Sequence, residues 1–90
     1  MAVTVKIPTQ LRSATDGEAT TEVEGSTVGE VLDALYERYD GLRSRIAQDG
    51  GLRRFVNVYV GGEDIRFGDG LQTQVSDGDE VTILPAVAGG

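Results

Sequence analysis

Apolar and polar positions alternate along Val3-Thr4-Val5-Lys6-Ile7. A period of two predicts a strand with one buried face, ending where Pro8 removes a backbone donor. Past a polar stretch through Asp16-Gly17, the Thr- and Val-rich run from Glu18 to Glu24 closes on Gly25. It predicts a second strand paired with the first, the connection being long for a hairpin and read as a mobile loop. The period then changes: Val28, Val31, Leu32, Leu35, Tyr36 and Tyr39 recur at the spacing of one helical face, which predicts an amphipathic helix. Thr27 with Glu30 three residues on has the pattern of a capping box, and Asp40-Gly41 is the stop signal, Gly41 suiting the left-handed position just past a helix. Tyr36 and Tyr39 lie on an otherwise aliphatic stripe and belong with the core or its edge.

The pattern weakens from Leu42 to Arg54, where Leu42 and Ile46 suit a short helical turn and Asp49-Gly50-Gly51 breaks it. Arg43, Arg45, Arg53 and Arg54 read as a solvated loop face. Phe55-Val56-Asn57-Val58-Tyr59-Val60 is β-branched and aromatic throughout, as expected of a central strand covered on both sides for part of its length. Gly61-Gly62 turns the chain into Asp64-Ile65-Arg66-Phe67, a second hairpin that stops at Gly68-Asp69-Gly70. Leu71 and Val75 anchor a short connection, Asp77-Gly78-Asp79 supplies a turn, and Glu80 to Leu84 forms a last strand ending at Pro85.

One apolar helical stripe needs a sheet to cover, and five short strands supply a mixed sheet with one main helix across one face. The expected class is α+β, with the element order of the β-grasp, or ubiquitin-like, fold. The expected organisation is a domain over residues 1–85 and a tail over 86–90. Fold order alone assigns no function, because plain interaction modules share it.

Composition narrows the chemistry. The chain of 90 residues has no Cys and no His, which excludes a thiolate metal site, a cysteine nucleophile, an iron–sulfur cluster and an imidazole acid–base pair. A formal charge of −7 repels phosphate backbones and anionic lipid, so neither nucleic acid nor membrane is an expected partner. Lacking a signal-like start or a membrane-length apolar run, the chain is expected in the cytoplasm. Of its 8 Lys and Arg residues only Lys6 is a lysine, which counts mildly against a polymerising modifier.

Most of the common enzyme chemistries are thereby removed, and the C-terminal residues are the candidates for what remains. The pairs Gly50-Gly51 and Gly61-Gly62 each sit where a turn is wanted, whereas Gly89-Gly90 follows Pro85-Ala86-Val87-Ala88 with no segment to turn into. Composition leaves two readings of that pair, a frayed end and a reactive one. A thin tail without Cβ atoms at its tip can be threaded into another protein's active site while the body stays outside. There the Gly90 carboxylate, a poor electrophile, becomes a good one once it is joined to the α-phosphate of ATP.

The stretch from Asp77 to Gly90 closely resembles the C-terminus of the ThiS/MoaD sulfur-carrier family, and Phe55 to Val60 resembles its central strand. The opening Thr4 to Thr9 and Glu63 to Phe67 are most similar to actinobacterial carriers that feed cysteine synthesis. The resemblance implies a carrier that is a co-substrate, not an enzyme. A ubiquitin-activating-like adenylyltransferase would convert Gly90 to its acyl adenylate, a sulfur source would make the thiocarboxylate, and a cysteine synthase-like or other acceptor enzyme would take the sulfur. A protease would then restore the Gly-Gly end. No cofactor is expected on this chain, ATP and Mg²⁺ being used by the activating partner. Gly89 and Gly90 carry over as the reactive tail, and Pro85, Ala86, Val87 and Ala88 as its tunnel-facing segment. The resemblance also implies docking through the open sheet face. Strand alternation puts Phe55, Asn57 and Tyr59 on one side, with Phe67 and Leu84 as further candidates that also have ordinary core readings. The small subunit of molybdopterin synthase, a thiosugar-type carrier, a ubiquitin-like modifier that acylates lysines and a plain binding module remain open.

Overall fold

The computed structural model describes residues 2–48, 51–52 and 56–85. The first strand, β1 (Ala2–Lys6), buries Val3 and Val5 completely and turns Thr4 and Lys6 outward. It pairs antiparallel with β2 (Thr20–Glu24). The connection between them is packed, where the sequence suggested a mobile loop. A 3₁₀ turn over Thr9–Thr15 buries Leu11 and Thr15, and the Thr15 hydroxyl lies 3.0 Å from the Glu18 carbonyl. Asp16 and Gly17, both at positive φ, then reverse the chain into β2.

The helix α1 (Val28–Arg38) starts at the expected cap, with the Thr27 hydroxyl accepting from the Glu30 N–H. The Glu30 carboxylate reaches one residue further back than a standard capping box. It accepts from the Ser26 N–H at 2.9 Å and from the Ser26 hydroxyl at 2.8 Å, and these bonds hold its pKa below the usual carboxylate value. Gly25 is required where the chain enters the helix, because a Cβ there would lie 2.9 Å from both the backbone nitrogen and a methyl of Val31. Val28, Val31, Leu32, Leu35 and Tyr36 are all buried, as the stripe predicts.

The far end of α1 departs from the sequence reading. The helix stops at Arg38, Tyr39 is extended, and Gly41 is not among the glycines at positive φ. A 3₁₀ turn over Asp40–Leu42 and the short helix α2 (Arg43–Ile46) follow, and both deliver a fully buried side chain, Leu42 and Ile46. Packing of Leu42 thus overrides the local stop signal. The strands β3 (Ala47–Gln48) and β4 (Gly51–Leu52) make a small separate hairpin.

The strand β5 (Val56–Val60) turns through Gly61 and Gly62, at φ 58° and 88°, the geometry of a type I′ hairpin. The returning strand β6 (Glu63–Asp64) is shorter than expected. The Asp64 carboxylate accepts from the Arg66 N–H, and a 3₁₀ turn over Ile65–Phe67 drops Ile65 into the core. The last strand is β7 (Glu80–Pro85).

Strand order in the sheet is β2-β1-β7-β5-β6, with β7 parallel to β1 and antiparallel to β5. The mixed five-stranded sheet under one main helix is thus the architecture expected, but the central strand is β7, and β5 is covered on one face only. Val3, Val5, Val58, Val81 and Ile83 project from the sheet to meet α1, each such side chain contributing about 1.5–3 kcal/mol by leaving water.

Candidate functional site

β7 carries the chain to Pro85, next to the expected tail. Its inward residues Val81 and Ile83 are fully buried, and it is held by β1 on one side as far as the pair Lys6–Thr82 and by β5 on the other as far as the pair Val56–Pro85. Pairing with Val56 therefore fixes the position of Pro85 beside β5. Pro85 is the last residue of that strand; Ala86, Val87, Ala88, Gly89 and Gly90 lie outside the described residues, as do Phe55, Arg53 and Arg54.

The other candidates divide cleanly. Val56 and Val58 face the helix and are buried, whereas Asn57 and Tyr59 are half-exposed on the opposite face, as alternation requires. Register sets Leu84 opposite Asn57 and Thr82 opposite Tyr59, so three of the predicted residues form one contiguous patch at the tail end of the sheet. Leu84 is 46% exposed and Phe67 93% exposed, which removes the core reading of both. Phe67 sits on the turn after β6, between Arg66 and Gly68. The turn is fixed at both ends, by the Asp64 carboxylate and by the Gly68 N–H donating to the Ile65 carbonyl at 3.0 Å. The braced backbone fixes where the exposed Phe67 side chain is presented to a partner.

Two side chains near this patch escaped the sequence reading. Arg66 donates from Nη1 to the Asn57 Oδ1 at 2.8 Å and from Nη2 to the Val56 carbonyl at 2.7 Å. Lys6 lies one strand further across the sheet, its Nζ 3.5 Å from Glu80 Oε1 with both side chains about half exposed. Neither pairing leaves a local sequence signal, because both partners are brought close only by sheet register.

On the helix side, a groove of about 770 Å³ runs between α1, the Gly70–Gln72 turn and the β3–β4 hairpin, with Leu32 and Leu71 among its lining and Asp33, Asp40 and Arg43 on its walls. Arg43 stacks over the Tyr36 ring at 5.2 Å. None of Asn57, Tyr59, Phe67 and Leu84 lines this groove. Among the described residues no group of three acidic, His or Cys side chains is placed to hold a metal ion, and no helix is long and apolar enough to cross a membrane.

Known proteins share this fold. The ThiS family model matches residues 5–90. The chain is 50% identical over 93 residues to the sulfur carrier protein CysO of Mycobacterium tuberculosis, all of both chains being covered. A chain of the crystal structure of the Amycolatopsis orientalis BexX/CysO complex superposes with a TM-score of 0.92 at 52% identity, covering 98% of this chain and 99% of that one. Small archaeal modifier protein 3 of Haloferax volcanii is 43% identical over 67 residues, which cover 74% of this chain and 73% of that protein.

Proposed function

The chain belongs to the ThiS family, and from that premise we propose that it is a sulfur carrier for biosynthesis, with cysteine as the product its sulfur serves. The observation that carries this reading is the end-to-end match at 50% identity to a sulfur carrier protein, the family match itself running through Gly90. Such proteins are carried substrates and not catalysts, and what this chain supplies is a carboxylate and a surface.

The chemistry proceeds in two displacements. One oxygen of the Gly90 carboxylate attacks the α-phosphorus of ATP in a ubiquitin-activating-like partner, and pyrophosphate leaves. A sulfur nucleophile then attacks the acyl adenylate carbonyl and expels AMP, giving the thiocarboxylate. The partner supplies ATP, Mg²⁺ and the groups that stabilise the developing oxyanion. The thiocarboxylate sulfur, ionised and nucleophilic at neutral pH, next forms a bond to the β-carbon of an activated serine such as O-phosphoserine in a synthase, the β-carbon–oxygen bond breaking with loss of phosphate. An acyl shift and hydrolysis by a protease return the Gly90 carboxylate. Support for the carrier's part comes from β7, which is paired with β5 as far as Pro85, and from Asn57, Tyr59, Leu84 and Phe67, which offer exposed docking area beside the strand or on the neighbouring turn. Residues 86–90 are short and lack bulky side chains apart from Val87, which suits a narrow tunnel.

A second reading has one specific support, the similarity to an archaeal modifier protein. In it the same acyl adenylate is captured by a lysine amine of another protein. Intact-protein mass spectrometry separates the two. After incubation with ATP, Mg²⁺, sulfide and the activating enzyme, a carrier gains about 16 Da, one oxygen exchanged for one sulfur, and a variant lacking Gly90 gains nothing, as expected of a single covalent site. Absence of the gain with an enzyme active on another carrier would remove the carrier reading, and isopeptide adducts on added proteins would install the modifier reading in its place.

A further inference from the structure

Arg66 stands where the sheet would otherwise be open. β6 pairs only with Tyr59 and Val60 of β5, so the first half of β5, Val56 to Val58, has no strand on its outer edge among the described residues. That half is the part of β5 that pairs with the tail end of β7, Val56 with Pro85 and Asn57 with Leu84. Backbone groups of a strand point alternately to its two neighbours. The Val56 carbonyl, accepting from Arg66 Nη2 at 2.7 Å, therefore faces the outer edge, and the next residue, Asn57, turns its backbone groups to β7. The same guanidinium donates from Nη1 to the Asn57 side chain at 2.8 Å. Its own backbone is pinned two residues from β6, where its N–H donates to the Asp64 carboxylate at 2.9 Å.

We propose that Arg66 is a positioning residue for the tail: its planar fork replaces the missing length of β6, holds the first residues of β5 in register, and through them fixes the point and direction in which the chain leaves β7. The inference rests on the carrier reading, in which placement of Gly90 in a partner's active site is the productive event. A fork that engages two acceptors on adjacent residues resists both sliding and twisting of the strand, which a single contact does not. With Pro85 held at the end of β7, docking starts from one fixed point from which Gly90 must reach the nucleotide, so more of the docked complexes are productive.

The test compares wild type with Arg66→Ala and Arg66→Lys in two measurements. The first is amide hydrogen exchange on the free carrier. The clamp predicts exchange at Asn57 and Leu84 at least tenfold faster in Arg66→Ala, partial recovery in Arg66→Lys, and unchanged exchange in the β1–β2 pair, which also reports whether the variant is folded. The second is steady-state adenylation. A positioning role lowers kcat about tenfold with KM nearly unchanged, an effect of orientation, whereas a residue that merely touches the partner would raise KM and leave exchange in the free carrier as it was. Unchanged exchange at Asn57 and Leu84 in Arg66→Ala overturns the clamp, and faster exchange with unchanged kcat overturns its consequence for the tail. If wild type itself is not adenylated, the carrier reading fails, while the exchange comparison still decides whether Arg66 holds the strand.

Discussion

Tyr36 illustrates how much one side chain owes to its surroundings. Its ring belongs to the helical stripe and is buried, yet its hydroxyl is an acid placed near Asp33 and Arg43. Burial, with a smaller contribution from the Asp33 carboxylate, pushes its pKa up to about 12, partly offset by Arg43. The neutral phenol is therefore the form that the folded protein prefers. An unfolded tyrosine ionises near pH 10, so this contribution to stability is complete below about pH 10 and is lost as pH rises towards about 12. Urea midpoints measured at pH 8 and at pH 11 will show a loss for wild type that is smaller in Tyr36→Phe; an equal loss in both would mean that another group titrates. The assignment of Tyr36 to the core was legible, because helical spacing is a local property. Gly25 and Gly41 show the limit of such reading. Gly25 marks a close approach to Val31 that only tertiary packing reveals. Gly41 has the sequence context of a helix stop, but burial of Leu42 just beyond it decides the backbone there.

Strand existence was readable, since alternation within β1, β5 and β7 records which face meets the helix. Strand order was not. β7 lies between β1 and β5 although it comes last in the chain, and no local pattern encodes a neighbour some seventy-five residues away, as with the Ala2 N–H donating to Asp77 Oδ1 at a separation of 75. For the same reason, the docking face could be drawn from alternation along β5, while the bond from Arg66 to Asn57 could not. The shortening of β6 also matters for function. By ending at Asp64 it lets the chain form the turn that exposes Phe67, an arrangement that a longer strand would abolish. Phe67→Ala removes a side chain that makes little buried contact, so stability should stay within about 0.5 kcal/mol of wild type. Adenylation efficiency should nonetheless fall about tenfold or more, and Leu84→Ala should fall in the same direction, as for anchors in an interface core. Measuring kcat/KM beside a thermal melt checks this; full efficiency in both variants would leave the open face without a docking role.

At the scale of the whole molecule, charge and topology act together. A formal charge of −7 on 90 residues sets a long-range field that favours encounter with a basic surface. The association rate with the activating partner should accordingly drop severalfold between about 50 and 500 mM salt while the dissociation rate changes less. Stopped-flow mixing across that range tests it, and a flat association rate would show that contact at the patch is all that matters. The tail motif was the most legible part of the function, since its residues are consecutive.

The parallel placement of β1 beside β7 has a mechanical consequence. The start of β1 is tied to the turn before β7, the Gly78 N–H donating to the Ala2 carbonyl at 2.9 Å, and the two strands then run in the same direction. Tension drawn through the tail against the start of β1 slides these strands along one another, loading their shared bonds together, where an antiparallel pair would peel apart bond by bond. A motor protein gripping this chain by its C-terminal end would thus meet a seam that yields in a single event, at a rate set by the barrier to unfolding.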